Sequence, residues 1–378
     1  MVQALINGRV LIDGLFVEGV TVLIHGGRIQ SVVASTEGPA DPRHLDLAGG
    51  YLVPGFIDVQ VNGGGDRLFN DDPSVDTIAR IGAAHRQFGT TGFLPTLISD
   101  DVAKIEAAMG AARCAIDAGV PGVLGVHIEG PFLNQSRKGI HDPSKLRPIS
   151  DAEIELLTKP IGGRVVVTLA PEMVPVEAIE RLTAAGVIVC AGHTDASADI
   201  TQHALRNGLR GFTHLFNAMS QLNSREPGVV GAALLDEDSW CGIIVDGHHV
   251  DARTLQLAIR ATPLRRFMLV TDAMPSVGGE KNFLLNGQAI TVSTGKCTNE
   301  DGTLAGSDLD MAAAIRNAIE MLGVSLPEAV QMASGNPAAF LGVDDEFGTI
   351  AAGYRANFVL LNDLLEVDQC WIDGEPAP

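Results

Sequence analysis

The chain has 378 residues, 46% of them hydrophobic, and a formal net charge of −20. A surface this acidic repels nucleic acid and anionic lipid, so neither is expected as a partner. The sequence has no run of the roughly 20 apolar residues that a membrane helix needs, and residues 1–11 lack the pattern of a leader peptide. Five scattered cysteines without a CxxC spacing predict reduced thiols in a cytoplasmic protein.

The two ends of the chain share a β-rich pattern that the middle lacks. Short valine-rich segments broken by glycine predict strands at 3–7, 20–24, 29–33, 358–361 and 370–372. We therefore expect a small β-sandwich domain built from residues 1–53 and 346–378. The larger domain between them covers residues 54–345.

The middle of the chain alternates between apolar strand-like runs and amphipathic helical patterns. The predicted strands are 56–61, 92–97, 122–128, 165–169, 187–191, 211–214, 241–245 and 267–271. Helices are predicted at 74–88, 100–118, 176–185, 198–207 and 252–261. Eight strands alternating with helices indicate an α/β fold with a parallel sheet, which closes most simply into a (β/α)8 TIM-like barrel. An open doubly wound sheet is the alternative, weakened by the absence of GxGxxG after the first strand.

One carboxylate and two histidines fall at the ends of predicted strands. Glu129 follows the third strand, His193 the fifth, and His214 closes the sixth. Because these strand ends meet at one mouth of a barrel, the three side chains are expected to converge. Three protein ligands with an open position suit a hydrolytic metal, and their nitrogen and oxygen donors favour Zn²⁺, with Fe²⁺, Co²⁺ or Mn²⁺ as rivals. A single histidine at either position is more often a hydrogen-bonded core residue, so the prediction of a metal site depends on all three residues occurring together.

Further polar residues follow the strands at the same end. Asp272 comes after the last strand, where a carboxylate beside a metal can move a proton between water and a leaving nitrogen. Taken alone, it would be a loop-capping carboxylate. Arg225 suits a bidentate phosphate contact, although an ion pair with Glu226 explains it equally well. A polar loop without an assigned role is predicted to be solvated and contains Asp66, Arg67, Asn70 and Asp71.

Nine segments resemble the N-acetylglucosamine-6-phosphate deacetylase family of the amidohydrolase superfamily, in family order over most of the chain. They are 54–58 (PGFID), 127–132 (HIEGPF), 138–141 (KGIH), 191–194 (AGHT), 213–219 (THLFNAM), 225–228 (REPG), 246–250 (DGHHV), 270–273 (VTDA) and 302–307 (GTLAGS). HIEGPF and THLFNAM together are quite specific, whereas PGFID alone would indicate only the superfamily.

The resemblance implies a specific reaction and site. The acetamide of N-acetyl-D-glucosamine 6-phosphate would be hydrolysed to D-glucosamine 6-phosphate and acetate. Glu129, His193 and His214 would bind one divalent metal ion, with Asp272 as general acid/base. For the mechanism we further predict that His141 donates to the oxyanion. Substrate contacts are implied for Ile140, His141, Asn217, Ala218, Arg225, His249, Leu304, Ala305 and Gly306. A homodimer is also implied, with substrate loops meeting at its interface.

One departure from the superfamily pattern predicts a single metal. Gln60-Val61-Asn62 stands where many amidohydrolases carry His-x-His and bind a second ion. Three alternatives stay open: a deacetylase for another N-acetylhexosamine phosphate such as N-acetylgalactosamine 6-phosphate, a cyclic-amide hydrolase, and a non-catalytic scaffold. The cyclic-amide hydrolase is disfavoured because the sequence lacks both the His-x-His motif and a lysine at a strand end. The retained ligand trio and Asp272 count against the scaffold.

Overall fold

A computed structural model describes residues 2–35 and 43–377. Residue 1 and residues 36–42, which fall within the predicted small domain, and residue 378 lie outside the described residues. Within the described ranges, no helix has the length and apolar character needed to cross a membrane.

The strands divide into three groups along the chain. Before the barrel come β1 (Gln3–Ile6), β2 (Arg9–Ile12), β3 (Leu15–Val17), β4 (Val20–His25), β5 (Arg28–Ala34), β6 (Arg43–Asp46) and β7 (Tyr51–Pro54). The barrel region contains β8 (Phe56–Val61), β9 (Gly63–Gly64), β10 (Arg67–Leu68), β11 (Thr90–Ile98), β12 (Gly125–Glu129), β13 (Arg164–Leu169), β14 (Ile188–Ala191), β15 (Leu209–Phe212), β16 (Trp240–Ile243) and β17 (Phe267–Leu269). After it come β18 (Asn282–Leu285), β19 (Gln288–Ser293), β20 (Lys296–Thr298), β21 (Leu304–Ser307), β22 (Phe358–Leu361), β23 (Val367–Ile372) and β24 (Glu375–Ala377).

Helices fill the gaps between barrel strands and follow the last of them. They are α1 (Val75–Arg86), α2 (Val102–Asp117), α3 (Asp151–Leu157), α4 (Val176–Ala184), α5 (Ala198–Arg206), α6 (Gly228–Leu235), α7 (Ala252–Ala261), α8 (Met311–Asn317), α9 (Leu326–Ala333) and α10 (Gly335–Leu341). Side-chain caps fix where several begin: Ser74 accepts the Thr77 N–H at α1, and Ser150 and Glu153 form a capping box at α3. The five predicted helices are all present, with ends shifted by two residues or fewer.

Eight parallel strands form the barrel. Their order is β17-β16-β15-β14-β13-β12-β11-β8, so each strand pairs with its neighbour in the chain. A parallel bridge between Val61 and Ala273 closes the ring beyond β17. Every residue of β8 and β12 is buried, as expected for strands inside a barrel covered by helices. The predicted (β/α)8 barrel is confirmed.

Both chain ends contribute to the remaining sheets. A four-stranded sheet has the order β5-β4-β1-β6, and a six-stranded sheet has the order β24-β23-β22-β7-β2-β3. In the second, β22 pairs antiparallel with β7, which places the C-terminal strands against the segment that leads into the barrel. The domain division at residues 53/54 and 345/346 stays a prediction.

A four-stranded antiparallel sheet after β17 was not predicted. Its order is β18-β19-β20-β21, and it returns to the barrel through a bridge between Ala273 and Ser307. We call it the insert sheet. The sequence does hold a hairpin signal, since Asn286-Gly287 joins β18 to β19 with both residues at positive φ.

The polar loop before α1 is not uniformly solvated, so the prediction is wrong for Asn70. This side chain is 5% exposed. It donates to the Ile98 carbonyl at 3.0 Å and accepts the Ile98 N–H at 2.9 Å. Asn70 therefore ties the loop to the end of β11.

Candidate metal centre and active site

Glu129 is the last residue of β12 and is 2% exposed. The chain turns away immediately, because Gly130 has φ +85°, a conformation that side chains with a Cβ rarely adopt. A Cβ at Gly130 would also lie 2.3 Å from Ser99 Oγ. The glycine thus allows the strand to end with its carboxylate at the barrel mouth.

His193 and His214 each lie two residues beyond the ends of β14 and β15. The strand predicted to reach His214 therefore stops at Phe212. Both histidines have positive φ, +49° and +35°, which is uncommon for non-glycine residues. Strained backbone of this kind collects at functional sites, where surrounding structure holds it.

The three side chains meet at a single point. Nε2 of His193 and Nε2 of His214 lie 3.1 and 3.0 Å from Glu129 Oε1, and 3.1 Å from each other. Donor atoms that share an ion at about 2.0–2.2 Å lie roughly 3–3.5 Å apart. The predicted trio therefore has the spacing of a metal ligand set.

The hydrogen bonding of His193 also fits a cation. Its Nδ1 lies 2.8 Å from the Arg137 carbonyl, which can only accept, so Nδ1 carries the proton. In the neutral ring, Nε2 then presents a lone pair to the carboxylate oxygen of Glu129. Two electron-rich atoms facing each other at 3.1 Å need a cation to hold them. The residues present therefore fit a divalent metal ion.

Charge at the centre is set by burial and by the mutual contacts. Burial raises the pKa of Glu129, but the adjacent imidazoles of His193 and His214 outweigh it and hold that pKa well below its usual range. Burial lowers the pKa of His214, but the hydrogen bond with Glu129 outweighs it and leaves that pKa raised. An ionised carboxylate at the barrel mouth thus attracts positive charge.

Asp272 lies three residues beyond β17, with φ +52° and a partly exposed side chain. Its Oδ1 accepts from Asn62 Nδ2 at 2.6 Å and from Gln60 Nε2 at 3.1 Å. Burial and the charge of Glu129 raise its pKa. The strand-end amides of β8 therefore hold the aspartate that faces the ligand trio.

His141 is positioned as a hydrogen-bond donor. Ser99 contributes both its backbone N–H, at 3.3 Å, and its hydroxyl, at 2.7 Å, to Nδ1 of His141. Because the backbone N–H can only donate, the imidazole proton sits on Nε2. Burial, reinforced by the nearby His193, places the pKa of His141 well below its usual range, so the ring is neutral.

His249 is oriented by a carboxylate. Its Nδ1 donates to Asp246 Oδ2 at 2.6 Å, and Asp246 Oδ1 accepts the backbone N–H groups of His248 and His249. This leaves Nε2 of His249 as the atom available for a substrate.

A cavity of about 540 Å³ joins these groups, a size suited to a small metabolite. Eleven of the thirteen predicted site residues line it: Glu129, Ile140, His141, His193, His214, Asn217, Ala218, His249, Asp272, Leu304 and Gly306. Ala305 is fully buried and packs away from the cavity, because neighbouring residues of β21 face opposite sides. Arg225 is exposed and does not line the cavity of a single chain.

The structure adds cavity residues that the sequence analysis did not single out. The apolar ones are Ile98, Met274 and Leu285, and the cationic ones are Arg137 and Lys296. Lys296 and Leu285 come from the insert sheet, so their place depended on an element that was not predicted. His248, within the DGHHV segment, also lines the cavity.

A barrel with a buried carboxylate and two histidines converging at its C-terminal mouth, opposite an aspartate, is the architecture of a metal-dependent hydrolase. The chain belongs to the Amidohydrolase family, whose pattern matches residues 51–377. An N-acetylgalactosamine-6-phosphate deacetylase of Shewanella sp. (strain ANA-3) is 43% identical over 98% of this chain and 94% of its own.

Two solved structures share the whole architecture. N-acetylglucosamine-6-phosphate deacetylase from Pasteurella multocida is 32% identical, covers 100% of this chain and 99% of its own, and superposes with a TM-score of 0.96. A mutant N-acetyl-D-glucosamine-6-phosphate deacetylase from Mycobacterium smegmatis, in complex with N-acetyl-D-glucosamine-6-phosphate, is 31% identical with a TM-score of 0.89, covering 100% and 99% of the two chains.

Proposed function

We propose that this protein hydrolyses the N-acetyl group of N-acetyl-D-glucosamine 6-phosphate, giving D-glucosamine 6-phosphate and acetate in amino-sugar metabolism. The observation that carries the proposal is the convergence of Glu129, His193 and His214 at 3.0–3.1 Å in a cavity that also contains Asp272. Full-length similarity to deacetylases of N-acetylhexosamine 6-phosphates supports the choice of substrate.

We assign the metal site to Glu129, His193 and His214, with one divalent ion per chain. Their nitrogen and oxygen donors favour Zn²⁺, with Fe²⁺, Co²⁺ or Mn²⁺ as rivals. When bound, such an ion supplies Lewis-acid polarisation of a carbonyl and lowers the pKa of water. Gln60 and Asn62 donate hydrogen bonds through their amides and thus differ from the imidazoles of a second metal site.

The protein side chains account for the proton transfers. Asp272 accepts a proton from water as the water oxygen bonds to the acetyl carbon. His141 donates from Nε2 to the carbonyl oxygen, which becomes an oxyanion. Asp272 then delivers the proton to the amide nitrogen as the C–N bond breaks. The free amine and acetic acid leave, and the acid ionises to acetate by giving its proton to solvent.

Substrate recognition is assigned to the cavity walls and to a second copy of the chain. His249, Asn217 and the backbone around Ala218 and Leu304 contact the sugar phosphate. We also propose a homodimer in which Arg225 of one copy reaches the phosphate in the cavity of the other. Its exposed position away from the cavity of its own chain supports this arrangement.

A second candidate substrate is N-acetylgalactosamine 6-phosphate. The 43% identity to the Shewanella deacetylase, against 32% to the Pasteurella enzyme, specifically favours it. The two sugars differ only in the orientation of one hydroxyl, so the same metal centre serves both.

We also propose a cytoplasmic location. The cysteines of the described chain are free thiols, and four of the five are buried. Burial raises the pKa of the Cys190 thiol to about 12, which keeps it protonated and unreactive. Such unpaired thiols are typical of a reducing compartment.

The test is acetate release from a panel of N-acetylated sugars, with and without a 6-phosphate, after metal stripping and reloading with one defined ion. We expect turnover of one or both 6-phosphates and at least about a hundredfold lower kcat/KM without the phosphate, as for loss of a buried charged contact. Absence of acetate release from every hexosamine phosphate with all four ions would refute the proposed function.

A further inference from the structure

The end of β8 carries two buried amides that touch both carboxylates of the site. Gln60 and Asn62 are each 2% exposed. Gln60 Nε2 donates to Glu129 Oε2 at 3.2 Å and to Asp272 Oδ1 at 3.1 Å. Asn62 Nδ2 donates to the same Asp272 oxygen at 2.6 Å. One strand end therefore links the metal-site carboxylate to the proposed base.

These hydrogen bonds reduce the repulsion between two like charges, the carboxylates of Glu129 and Asp272. Glu129 and Asp272 face one cavity as carboxylates, and each disfavours the ionised form of the other. An amide NH₂ has two protons, so the single nitrogen of Gln60 can serve both carboxylates at once. Because the amide donors are neutral, they reduce the repulsion between Glu129 and Asp272. They do so without providing a second metal site that would coordinate Asp272.

The hydrogen bonds also distinguish the two oxygens of Asp272. Both amides donate to Oδ1, and Oδ2 accepts no hydrogen bond from the described residues. The backbone is tied to the same strand, since the Asp272 N–H donates to the Gln60 carbonyl at 3.0 Å. The carboxylate is thus anchored through Oδ1, which leaves Oδ2 as the oxygen without a hydrogen bond from the described residues.

We propose that Gln60 and Asn62 are positioning residues that hold Asp272 by Oδ1, so that Oδ2 is the oxygen that accepts and returns the proton. This inference rests on the proposed function and deepens it. Gln60 also donates a hydrogen bond to Oε2 of Glu129, so it helps to position that carboxylate as well. Asn62 contacts only Asp272 of the two carboxylates, so the two amides have separable effects.

The first experiment compares Asn62→Ala with Gln60→Ala. Misplacing a reacting group by about 1 Å costs on the order of a hundredfold in rate. We expect both variants to lose about 10–100-fold in kcat with KM within about threefold of wild type. Loss of an outer-shell partner weakens metal binding by about 10–100-fold, which we expect only for Gln60→Ala in competition with a chromophoric chelator.

Asn62→Asp and Asn336→Ala serve as matched controls. Asn62→Asp keeps the shape but replaces the donor with a second carboxylate, so its kcat should fall further than that of Asn62→Ala. Asn336 is an equally buried amide, 2% exposed, that donates to the Phe267 carbonyl at the opposite end of β17. Asn336→Ala should lower the melting temperature while kcat stays within twofold of wild type.

A double-mutant cycle separates positioning from a merely structural role. Adding Asn62→Ala to Asp272→Asn should leave the residual rate unchanged, because the group that Asn62 holds no longer acts as a base. If Asn62→Ala does not fold, Asn62→Ser replaces it in each comparison. The inference is overturned if either variant keeps kcat within twofold of wild type, or if the rate loss of Asn62→Ala persists in the Asp272→Asn background. Equal loss of metal affinity in Asn62→Ala and Gln60→Ala would also overturn it. An inactive wild-type protein would instead overturn the proposed function.

Discussion

The cavity has a floor and a rim that are built differently. The floor consists of Glu129, His193 and His214, which are 2–6% exposed. The rim consists of His248, Lys296 and Thr303, exposed residues from the loop after β16 and from the insert sheet. Floor residues are buried and contact one another at 3.0–3.1 Å, whereas no hydrogen bond from the Lys296 side chain falls within the described chain. We infer that the chemistry depends on the floor, and that recognition depends on the rim and on a second copy.

The largest effect is expected from His214→Ala. Two remaining donors no longer form a three-ligand site, so bound metal and acetate release should both be lost, by at least about a thousandfold in rate. The measurement is metal content after gel filtration together with kcat. His203→Ala, an exposed histidine on α5, is the control and should change neither. If the His214→Ala protein keeps its metal and its rate, the residues of the floor do not hold the metal ion that supports hydrolysis.

Asp272→Asn tests the proton transfer that we assign to the aspartate facing the floor. An amide cannot accept the proton, and loss of a general base costs about 10²–10⁴-fold in kcat. Calorimetric titration with the substrate should give a Kd within about threefold of wild type, because the sugar phosphate contacts are untouched. Weakened binding with an unchanged kcat would show instead that Asp272 is a recognition residue.

Asp58 tests the support beneath the floor. It is fully buried on β8, where burial raises its pKa from 3.8 to about 7 despite hydrogen bonds from Thr271 and Gln60. The folded state therefore binds this proton more tightly than the unfolded chain. Stability should fall as pH rises from about 4 to about 7, by up to about 4 kcal/mol at 1.36 kcal/mol per pKa unit.

The measurement is the free energy of unfolding of wild type and Asp58→Asn in urea across this range. Asparagine keeps the shape and cannot ionise, so the variant should gain stability relative to wild type as pH rises. A difference between the two proteins that stays constant from pH 4 to pH 8 would contradict the pKa assigned to Asp58.

Arg225→Ala tests recognition and should have the smallest effect. Loss of one charged phosphate contact of about 1.5–3 kcal/mol should raise KM for the phosphorylated sugar by roughly 10–100-fold, with kcat nearly unchanged. The unphosphorylated sugar should be affected little. An equal change in KM for both sugars would show that Arg225 does not contact the phosphate.

A subunit-mixing experiment determines whether Arg225 acts on the active site of its own subunit or on that of the other subunit. Arg225→Ala and Asp272→Asn chains are mixed, dissociated and allowed to reassociate. A hybrid of a two-fold dimer holds one intact site if Arg225 acts across the interface, so the mixture, assayed at substrate concentrations far below KM, should recover up to about a quarter of the wild-type rate. Recovery no greater than the sum of the two variants would place Arg225 in its own subunit or outside the site.

The floor was largely predictable because it follows from strand periodicity. Apolar runs located the strands, and the polar residues just beyond them had to meet at one mouth of the barrel. The exact backbone was less predictable: His193 and His214 lie past the strand ends in left-handed conformations. The hydrogen bonds of Gln60 and Asn62 join β8 to the end of β17, a contact more than 200 residues apart in sequence. Local patterns do not encode such a contact.

The rim was less predictable because its geometry comes from turns rather than from strand periodicity. The insert sheet brings Lys296 to the cavity, and only its Asn286-Gly287 turn signalled it. Ala305 was assigned to the substrate along with its neighbours, but strand alternation turns its side chain into the core. Arg225 is exposed and does not line the cavity of its own chain, so its proposed contact with the phosphate depends on a second copy of the chain.

The most direct test of the account is a metal titration of stripped protein with acetate release recorded at each step. If Glu129, His193 and His214 hold the one ion that supports hydrolysis, activity should rise linearly and stop at one equivalent per chain. A break at two equivalents, or full acetate release from the stripped protein, would contradict it.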